Sequence, residues 1–429
     1  MKKTILLSAA IAMVVSASAQ KAKQDFAENP LKAGCTYYAY PGPQKQLTKA
    51  PKGKKPFYIS HYGRHGSRWL IGRNDYRGVV RTLEKADSAG HLTAYGRELL
   101  GKIRIVNAAS EKRLGELTLL GAQQHQDIAR RMYERFPEVF KGNTNIEARS
   151  SVVIRCILSM ENELMQLCRM NPKIHVWSDA SEHDMWYMAA GHSNLGNKDG
   201  LKEAMKLYDE WYAENMKNDA MYTKIFGDTA YVNKNINRGE FNYRIYSIAT
   251  DMQSTELRHN LSIMDVFTPE ELYRCFQSEN LWWFINNGSN VWTNGRMPYT
   301  QRYLLTDIIE KADSCIALEH PGATMRFGHD TMVCPMVSLL GINGKDKQIG
   351  GDLNTIDEQG WRMYEFVPMA ANLQFVFYRK NASDDDVLVK VLLNEDEVPL
   401  TSDLSTDMYP YYHWKDVRDY FKKKIADFK

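Results

Sequence analysis

The spacing of hydrophobic positions changes several times along the chain, and each change marks an element. Met1–Ala19 opens with Lys2 and Lys3, is apolar from Ile5 to Val15, and closes on Ala17-Ser18-Ala19. That order predicts a cleaved export signal, because so short an apolar run does not span a bilayer. Residues 41–55, with Pro43, Lys45, Lys49, Pro51 and Gly53, read as a loop. Phe57-Tyr58-Ile59-Ser60 is apolar and β-favouring and predicts a buried strand, stopped by Gly63 and Gly66. Asn74-Asp75 predicts the cap of a helix carrying Val79, Val80 and Leu83, with Gly90 near its end. Thr118 predicts the N-cap of a second helix, in which Ile128, Met132 and Phe136 recur at helical spacing. Ile146-Glu147-Ala148 reads as a strand and Val153 to Leu167 as the helix after it.

Residues 171–297 differ in character. They are rich in Trp, Tyr, Met and Asn, and helical periods dominate, as in Leu201–Trp211. This predicts a mostly helical insertion, whose exit is punctuated by Gly288, Gly295 and Pro298. Beyond it, Ala323 to Asp330 predicts a strand. Thr331–Leu340 predicts a short apolar helix with Pro335 near its first turn and Gly341 closing it. Two further strands, Leu373–Arg379 and Val387–Leu393, and a basic, solvated terminal helix complete the chain. Strands alternating with helices predict an α/β core with helices on the faces of the sheet. The expected organisation is a signal over 1–19, a core formed by 20–170 with 298–429, and the insertion 171–297.

Composition narrows the function classes. Hydrophobic content of 44% and charged content of 25% are ordinary for a globular protein. The formal charge is +3, from 55 basic and 52 acidic residues, and two of those cations lie in the export signal. A chain so near neutrality lacks the basic face that nucleic-acid binding needs. No later segment is apolar enough to hold the mature chain in a membrane. None of the six cysteines forms a C-x-x-C pair, which argues against a zinc or thioredoxin-like site. Several are expected to be buried free thiols.

Positive charge is concentrated at Arg64-His65-Gly66-Ser67-Arg68, where the first strand ends. Three readings fit those residues. His61 and His65 stand four apart, as on a metal-binding helix, but Gly63 and Gly66 make a poor helix and the two arginines repel a cation. A buried histidine among surface arginines is the second reading. The third is a phosphate site. A glycine-containing loop at the carboxyl end of a strand presents backbone N–H groups, and arginine forks match phosphate oxygens. A histidine kept uncharged by neighbouring guanidinium groups can act as a nucleophile.

Arg64-His65-Gly66-Ser67-Arg68 resembles the R-H-G-x-R signature of the histidine acid phosphatases, the second branch of the histidine phosphatase superfamily. Three later stretches resemble further blocks of that family, in the family's order. They are Gly115–His125 (G-x-L-T-x-x-G-x-x-Q), Arg149–Ser159 (R-S-x-x-x-x-R-x-x-x-S) and Phe327-Gly328-His329-Asp330. The resemblance implies a phosphoglycerate-mutase-like sheet core and hydrolysis of phosphomonoesters without metal or cofactor. It implies His65 as the nucleophile, forming a phosphohistidine, and Asp330 as the acid for the leaving oxygen. Arg64, Arg68, Arg155 and His329 are implied as the phosphoryl-binding residues, with Arg155 preferred to Arg149. Leu70 stands where the family often has proline. The tail from Glu365 to Leu400 resembles the multiple inositol polyphosphate phosphatases, which implies inositol polyphosphates as substrates. That branch commonly carries His-Ala-Glu where this chain has His329-Asp330-Thr331, so a broad acid phosphatase or sugar-phosphate phosphatase is the alternative. A mutase and a non-catalytic phosphate binder are the remaining readings. The expected protein is exported, periplasmic or secreted, and acts on a small molecule.

Overall fold

The computed structural model describes residues 21–189, 191, 195 and 199–428. The stretch 1–19, read as an export signal, lies outside them. Eight strands form one sheet: β1 (Lys55–Arg64), β2 (Thr144–Ser150), β3 (Ile174–Asp179), β4 (Gly322–Gly328), β5 (Asn372–Arg379), β6 (Leu388–Leu393), β7 (Asp396–Glu397) and β8 (Tyr412–His413). Their order is β3-β2-β4-β1-β5-β6-β7, and β8 pairs with β6. Strands β1 to β4 run parallel to one another, whereas β5 and β6 run antiparallel to their neighbours.

Both faces of the sheet are covered, and side-chain alternation assigns each residue to a face. Tyr58, Tyr62, Leu373, Phe375 and Phe377 enter one apolar core. Ile59, Ala323, Met325, Phe327 and Val376 enter the other. Residues with a period of two thus feed two helical layers from the same strands, as expected of an α/β core.

The helices that position the site are α1 (Arg73–Ser88), α2 (Leu119–Arg135), α3 (Ile154–Met170), α4 (Arg238–Asp251), α5 (Pro269–Asn287) and α6 (Asp330–Leu339). On one face, α2 and α3 pack through Ile128, Met132, Met160 and Leu164. On the other, α1, α4, α5 and α6 share a continuous core with the sheet, including Val79, Leu83, Ile245, Ile248, Phe276, Phe284, Val333 and Val337. Thr118 caps α2 by accepting a hydrogen bond from the Gly121 N–H.

Local differences from the expected elements have simple causes. The first helix starts at Arg73 after Gly72, and Asp75 caps from inside, its carboxylate accepting the Gly72 N–H at 2.8 Å. Strand β3 falls inside the stretch read as helical. It lies at the edge of the sheet, and its exposed Val176 and Trp177 give it no apolar run to recognise. Helical structure dominates only after it. Pro335 sits in the interior of α6 rather than its first turn. Proline cannot donate to the Thr331 carbonyl, and the Gln301 side-chain amide reaches that oxygen at 3.4 Å. Gly341 does close the helix, with φ +68°. The six cysteines are free thiols, and Cys35, Cys156, Cys275 and Cys334 are buried. No helix among the described residues is long and apolar enough to cross a membrane.

Candidate active site

The carboxyl ends of β1 and β4 lie side by side, with Arg64 in register with Gly328. Each strand then delivers two consecutive residues: Arg64-His65 from β1, His329-Asp330 from β4. The His65 N–H donates to the Gly328 carbonyl at 2.9 Å, and its own carbonyl accepts the Ala370 N–H at 3.0 Å. The backbone of the nucleophile candidate is therefore held between β4 and the approach to β5.

The loop that follows is clamped from beneath. Gly66 donates its N–H to Ser159 Oγ on α3 at 3.1 Å, and Ser67 donates its N–H to Gln124 Oε1 on α2 at 2.9 Å. Gln124 Nε2 donates in turn to Ser67 Oγ, and Thr118 Oγ1 to the Ser67 carbonyl, both at 3.0 Å. Backbone meets backbone here: a Cβ on Gly66 would stand 2.5 Å from the Gly121 carbonyl oxygen. Glycine at both crossing points is what lets α2 approach so closely. Gln124 and Ser159 were not singled out as functional in the sequence, although both fall at fixed positions of the motifs.

His65 is buried, and its Nδ1 lies 3.0 Å from the Gly66 carbonyl. A carbonyl only accepts, so Nδ1 carries the proton and Nε2 carries the free lone pair. Burial, reinforced by Arg64, Arg155, Arg68 and His329, holds the imidazole well below its ordinary pKa and keeps it uncharged. His329 lies across the site, the two ring centroids 5.7 Å apart. Its Nε2 is 3.2 Å from Ser151 Oγ, and its backbone N–H donates to Tyr62 Oη. Burial depresses its pKa to about 4, with Arg155, Arg64 and Arg68 adding to the effect against Asp330.

Three arginines converge on the two histidines. Arg64 is fully buried; Nη1 donates to the carbonyls of Thr36 and Val367, and Nη2 donates to Asp330 Oδ2 at 2.6 Å. Arg68 donates to the Trp69 carbonyl and lies 5.4 Å from the Tyr37 ring centroid. Arg155, at the start of α3, has a buried Nε with no hydrogen-bond partner. The mutual repulsion of these cations is visible in Arg155, whose pKa burial and Arg68 both lower. Asp330 opens α6. Burial opposes its charge, but Arg64, His329 and Arg68 outweigh burial and hold the carboxyl below the usual carboxylate range.

Arg149 takes no part in this cluster. It pairs with Asp184 and Glu147 and lies over the Trp177 ring, on the β3 side of β2. His61 faces the opposite side of the sheet. With His125 it brackets the buried Glu163, at 3.5 Å and 2.7 Å respectively, so the i, i+4 histidines do not converge.

Sequence reading missed two acidic groups. Glu163 lies one turn beyond Ser159 on α3, and its partners come from β1 and α2. Asp251 ends α4, buried with neither carboxylate oxygen hydrogen-bonded, and burial pushes its pKa up to about 7 against the pull of Arg68. Neither sits in a recognisable local pattern, because each is defined by elements distant in sequence.

The strand ends of the parallel region thus bring together a clamped His loop, three arginines and a His-Asp pair. The family model of the histidine phosphatase superfamily (branch 2) matches residues 64–394, and the chain belongs to that family. It is an enzyme of the histidine acid phosphatase class. Among curated protein sequences none matches it. Among solved structures, the Bifidobacterium longum multiple inositol polyphosphate phosphatase in complex with inositol hexasulfate superposes with a TM-score of 0.77 at 19% identity. That match covers 90% of this chain and 96% of the other. The same enzyme in complex with phosphate gives 0.74 at 20% identity, over 92% and 98% of the two chains. The phytase from D. castellii gives 0.62 at 14% identity, over 92% and 85%. At these identities the likeness is one of fold.

Proposed function

We propose that this chain is an exported phosphomonoester hydrolase that works through a phosphohistidine on His65, with inositol polyphosphates as its leading substrate class. The observation that carries the mechanism is the His65 tautomer. With Nδ1–H held by the Gly66 carbonyl, Nε2 is an uncharged nucleophile inside a ring of three guanidinium groups. The phosphoryl group of a substrate supplies the negative charge that such a ring binds. Arg68, Arg155 and His329 offer N–H donors to its equatorial oxygens, and Arg64 is shared between it and Asp330.

The reaction divides into two displacements. His65 Nε2 attacks phosphorus and the P–O bond to the alcohol breaks, with Asp330 giving its proton to the departing oxygen. Water then attacks the phosphohistidine, Asp330 takes the proton back, and orthophosphate leaves. In the free site Asp330 is ionised against Arg64. An arriving phosphate dianion competes for that guanidinium and adds negative charge, and both effects raise the Asp330 pKa. His65, by contrast, resists protonation. Activity is therefore expected at acidic or mildly acidic pH.

The substrate class is supported by the resemblance of the tail and by the fold shared with an inositol polyphosphate phosphatase and a phytase. The test is phosphate release from inositol phosphates, sugar phosphates and nucleotides across pH, with His65→Ala alongside. His65→Ala is expected to abolish release from every substrate. Full activity in that variant refutes the mechanism, and preference for sugar phosphates refutes the substrate class alone.

A further inference from the structure

The rim of the site differs chemically from its floor. Residues 67–70 and 115–118 run antiparallel, joined by a bridge between Arg68 and Leu117. Thr118 donates to the Ser67 carbonyl, Trp69 to Glu116 and Gly115 to Leu70, at 2.9 to 3.0 Å. This ladder brings Ile71 beside Gly115, one residue from Leu114, and leads directly into Leu119 at the start of α2. Arg155 lies against the same ladder. A Cβ on Gly115 would stand 3.6 Å from Arg155 Nη1 and 3.7 Å from Ile71 Cγ1. Ile154 precedes Arg155, and Leu158 lies one turn further along α3. Val152 follows Ser151, whose hydroxyl contacts His329.

All six of these apolar side chains are exposed. Leu119 and Ile154 reach 74%, Ile71 52%, and Leu158, Val152 and Leu114 between 36% and 41%. Single exposed leucines need no explanation, but several on the segments that flank one arginine do. Arg113 nearby is paired, with Glu116 at 3.0 Å and with Glu256 at 3.4 Å, while Leu114 borders a separate cavity with Arg73, Arg77 and Lys112. Ile71, Leu119 and Ile154 expose hydrocarbon on the segments that flank Arg155.

We propose that this rim binds the apolar part of a phosphomonoester whose alcohol carries a hydrocarbon chain, its phosphoryl group resting on His65. The proposal rests on the phosphatase reading of the His65 site and adds a substrate class to it. The chain would lie across Ile71, Leu119 and Ile154 and cover surface that otherwise faces water. Each methylene removed from water contributes about fourfold to binding when fully enclosed, and about twofold when one side stays wet.

The test is kcat/KM for glycerol phosphate and for n-butyl, n-hexyl and n-octyl phosphate, each below its micelle-forming concentration. The expected result is a rise of about two- to fourfold per methylene. The double variant Leu119→Ser/Ile154→Ser is expected to flatten that series while hydrolysing glycerol phosphate within about twofold of the parent rate. Leu119→Met/Ile154→Val, which keeps the surface apolar, is expected to restore the slope. A flat series in the parent enzyme overturns the proposal, as does a slope that survives the serine variant. Binding to phosphatidylcholine vesicles with a flat series assigns the rim to a membrane surface and equally overturns it. Failure of the parent enzyme to hydrolyse even glycerol phosphate refutes the phosphatase reading, and the proposal with it.

Discussion

Asp330 is where the electrostatics of the site can be tested most sharply, because its ion pair with Arg64 and the acid role proposed for it require opposite protonation states. In the folded protein Arg64, His329 and Arg68 hold its pKa below the ordinary carboxylate value. Its contribution to stability is therefore fully present above the unfolded pKa of about 3.9 and is lost as pH falls through the lower folded value. The acid role proposed for it requires the proton, so turnover is expected to fall as pH rises. Asp330→Ala removes one of the three hydrogen bonds that hold the buried Arg64, the others being to Thr36 and Val367. Loss of a charge-assisted bond of this kind costs about 1.5–3 kcal/mol. Asp330→Asn keeps an oxygen for Arg64 but has no acidic proton to give, and loss of a general acid lowers the rate by about 10²- to 10⁴-fold. That loss is expected for alkyl phosphates, whose leaving oxygen is a poor anion, and is expected to be much smaller for an aryl phosphate whose phenolate leaves unaided. The assay is single-turnover hydrolysis of both substrates by parent and Asp330→Asn enzyme from pH 3 to 8, beside urea unfolding of Asp330→Ala. Equal slowing of alkyl and aryl substrates refutes proton donation by Asp330. Unfolding stability of Asp330→Ala equal to the parent near neutral pH refutes the account of the Arg64 pair.

Two further outcomes follow from the clamp beneath the loop, and a third from the buried Glu163. Gly66→Ala forces a methyl group against the Gly121 carbonyl, a contact of 2.5 Å that backbone on both sides cannot relieve. It is expected to destabilise by about 1–3 kcal/mol and to lower kcat, as measured by thermal melting and steady-state kinetics. Gln124→Leu removes both hydrogen bonds to Ser67 and strands its N–H. It is expected to cost about 1–3 kcal/mol and to raise KM for every substrate alike, since it loosens the loop without touching the leaving group. Glu163→Gln removes the only carboxylate between His61 and His125 among the described residues. Those imidazoles outweigh burial and hold Glu163 at about 2, so its stabilising contribution is fully present above about 4.3 and is lost as pH falls from there toward about 2. Breaking such a buried pair costs about 3–5 kcal/mol near neutral pH. Equal melting temperatures for parent and variant at pH 7 contradict that reading.

Much of the fold was legible because its elements are short-range. Tyr58-Ile59-Ser60, buried on both faces, reads as a strand from its own composition, and Thr118 reads as a cap because the N–H it serves is three residues away. The edge strand Ile174–Asp179 was not legible. Its pairing with β2 comes from the sheet, and its side chains carry no apolar pattern. The depth of Pro335 in its helix was hidden for a similar reason, since the Gln301 side chain that reaches the Thr331 carbonyl lies thirty residues earlier.

The same division runs through the site. The residue types of the motif stretches already carried the chemistry: a histidine among arginines beside glycine, and a later His-Asp pair. Only the tertiary structure decided which atoms meet. Parallel pairing of β1 with β4 sets Arg64 opposite Gly328 and so joins two halves separated by more than 260 residues. It brings Arg155, at the start of α3, within electrostatic reach of His65, whereas Arg149 pairs with Glu147 and Asp184. The clamped loop sets the Gly66 carbonyl at His65 Nδ1, the contact that leaves Nε2 free. The fold also brings Ile71 and Arg155 against one glycine, Gly115, although the three are far apart in the sequence. Charge and hydrogen-bonding capacity belong to single residues and can be read one position at a time. Burial, tautomer and pKa are set by neighbours, and neighbours are supplied by the fold.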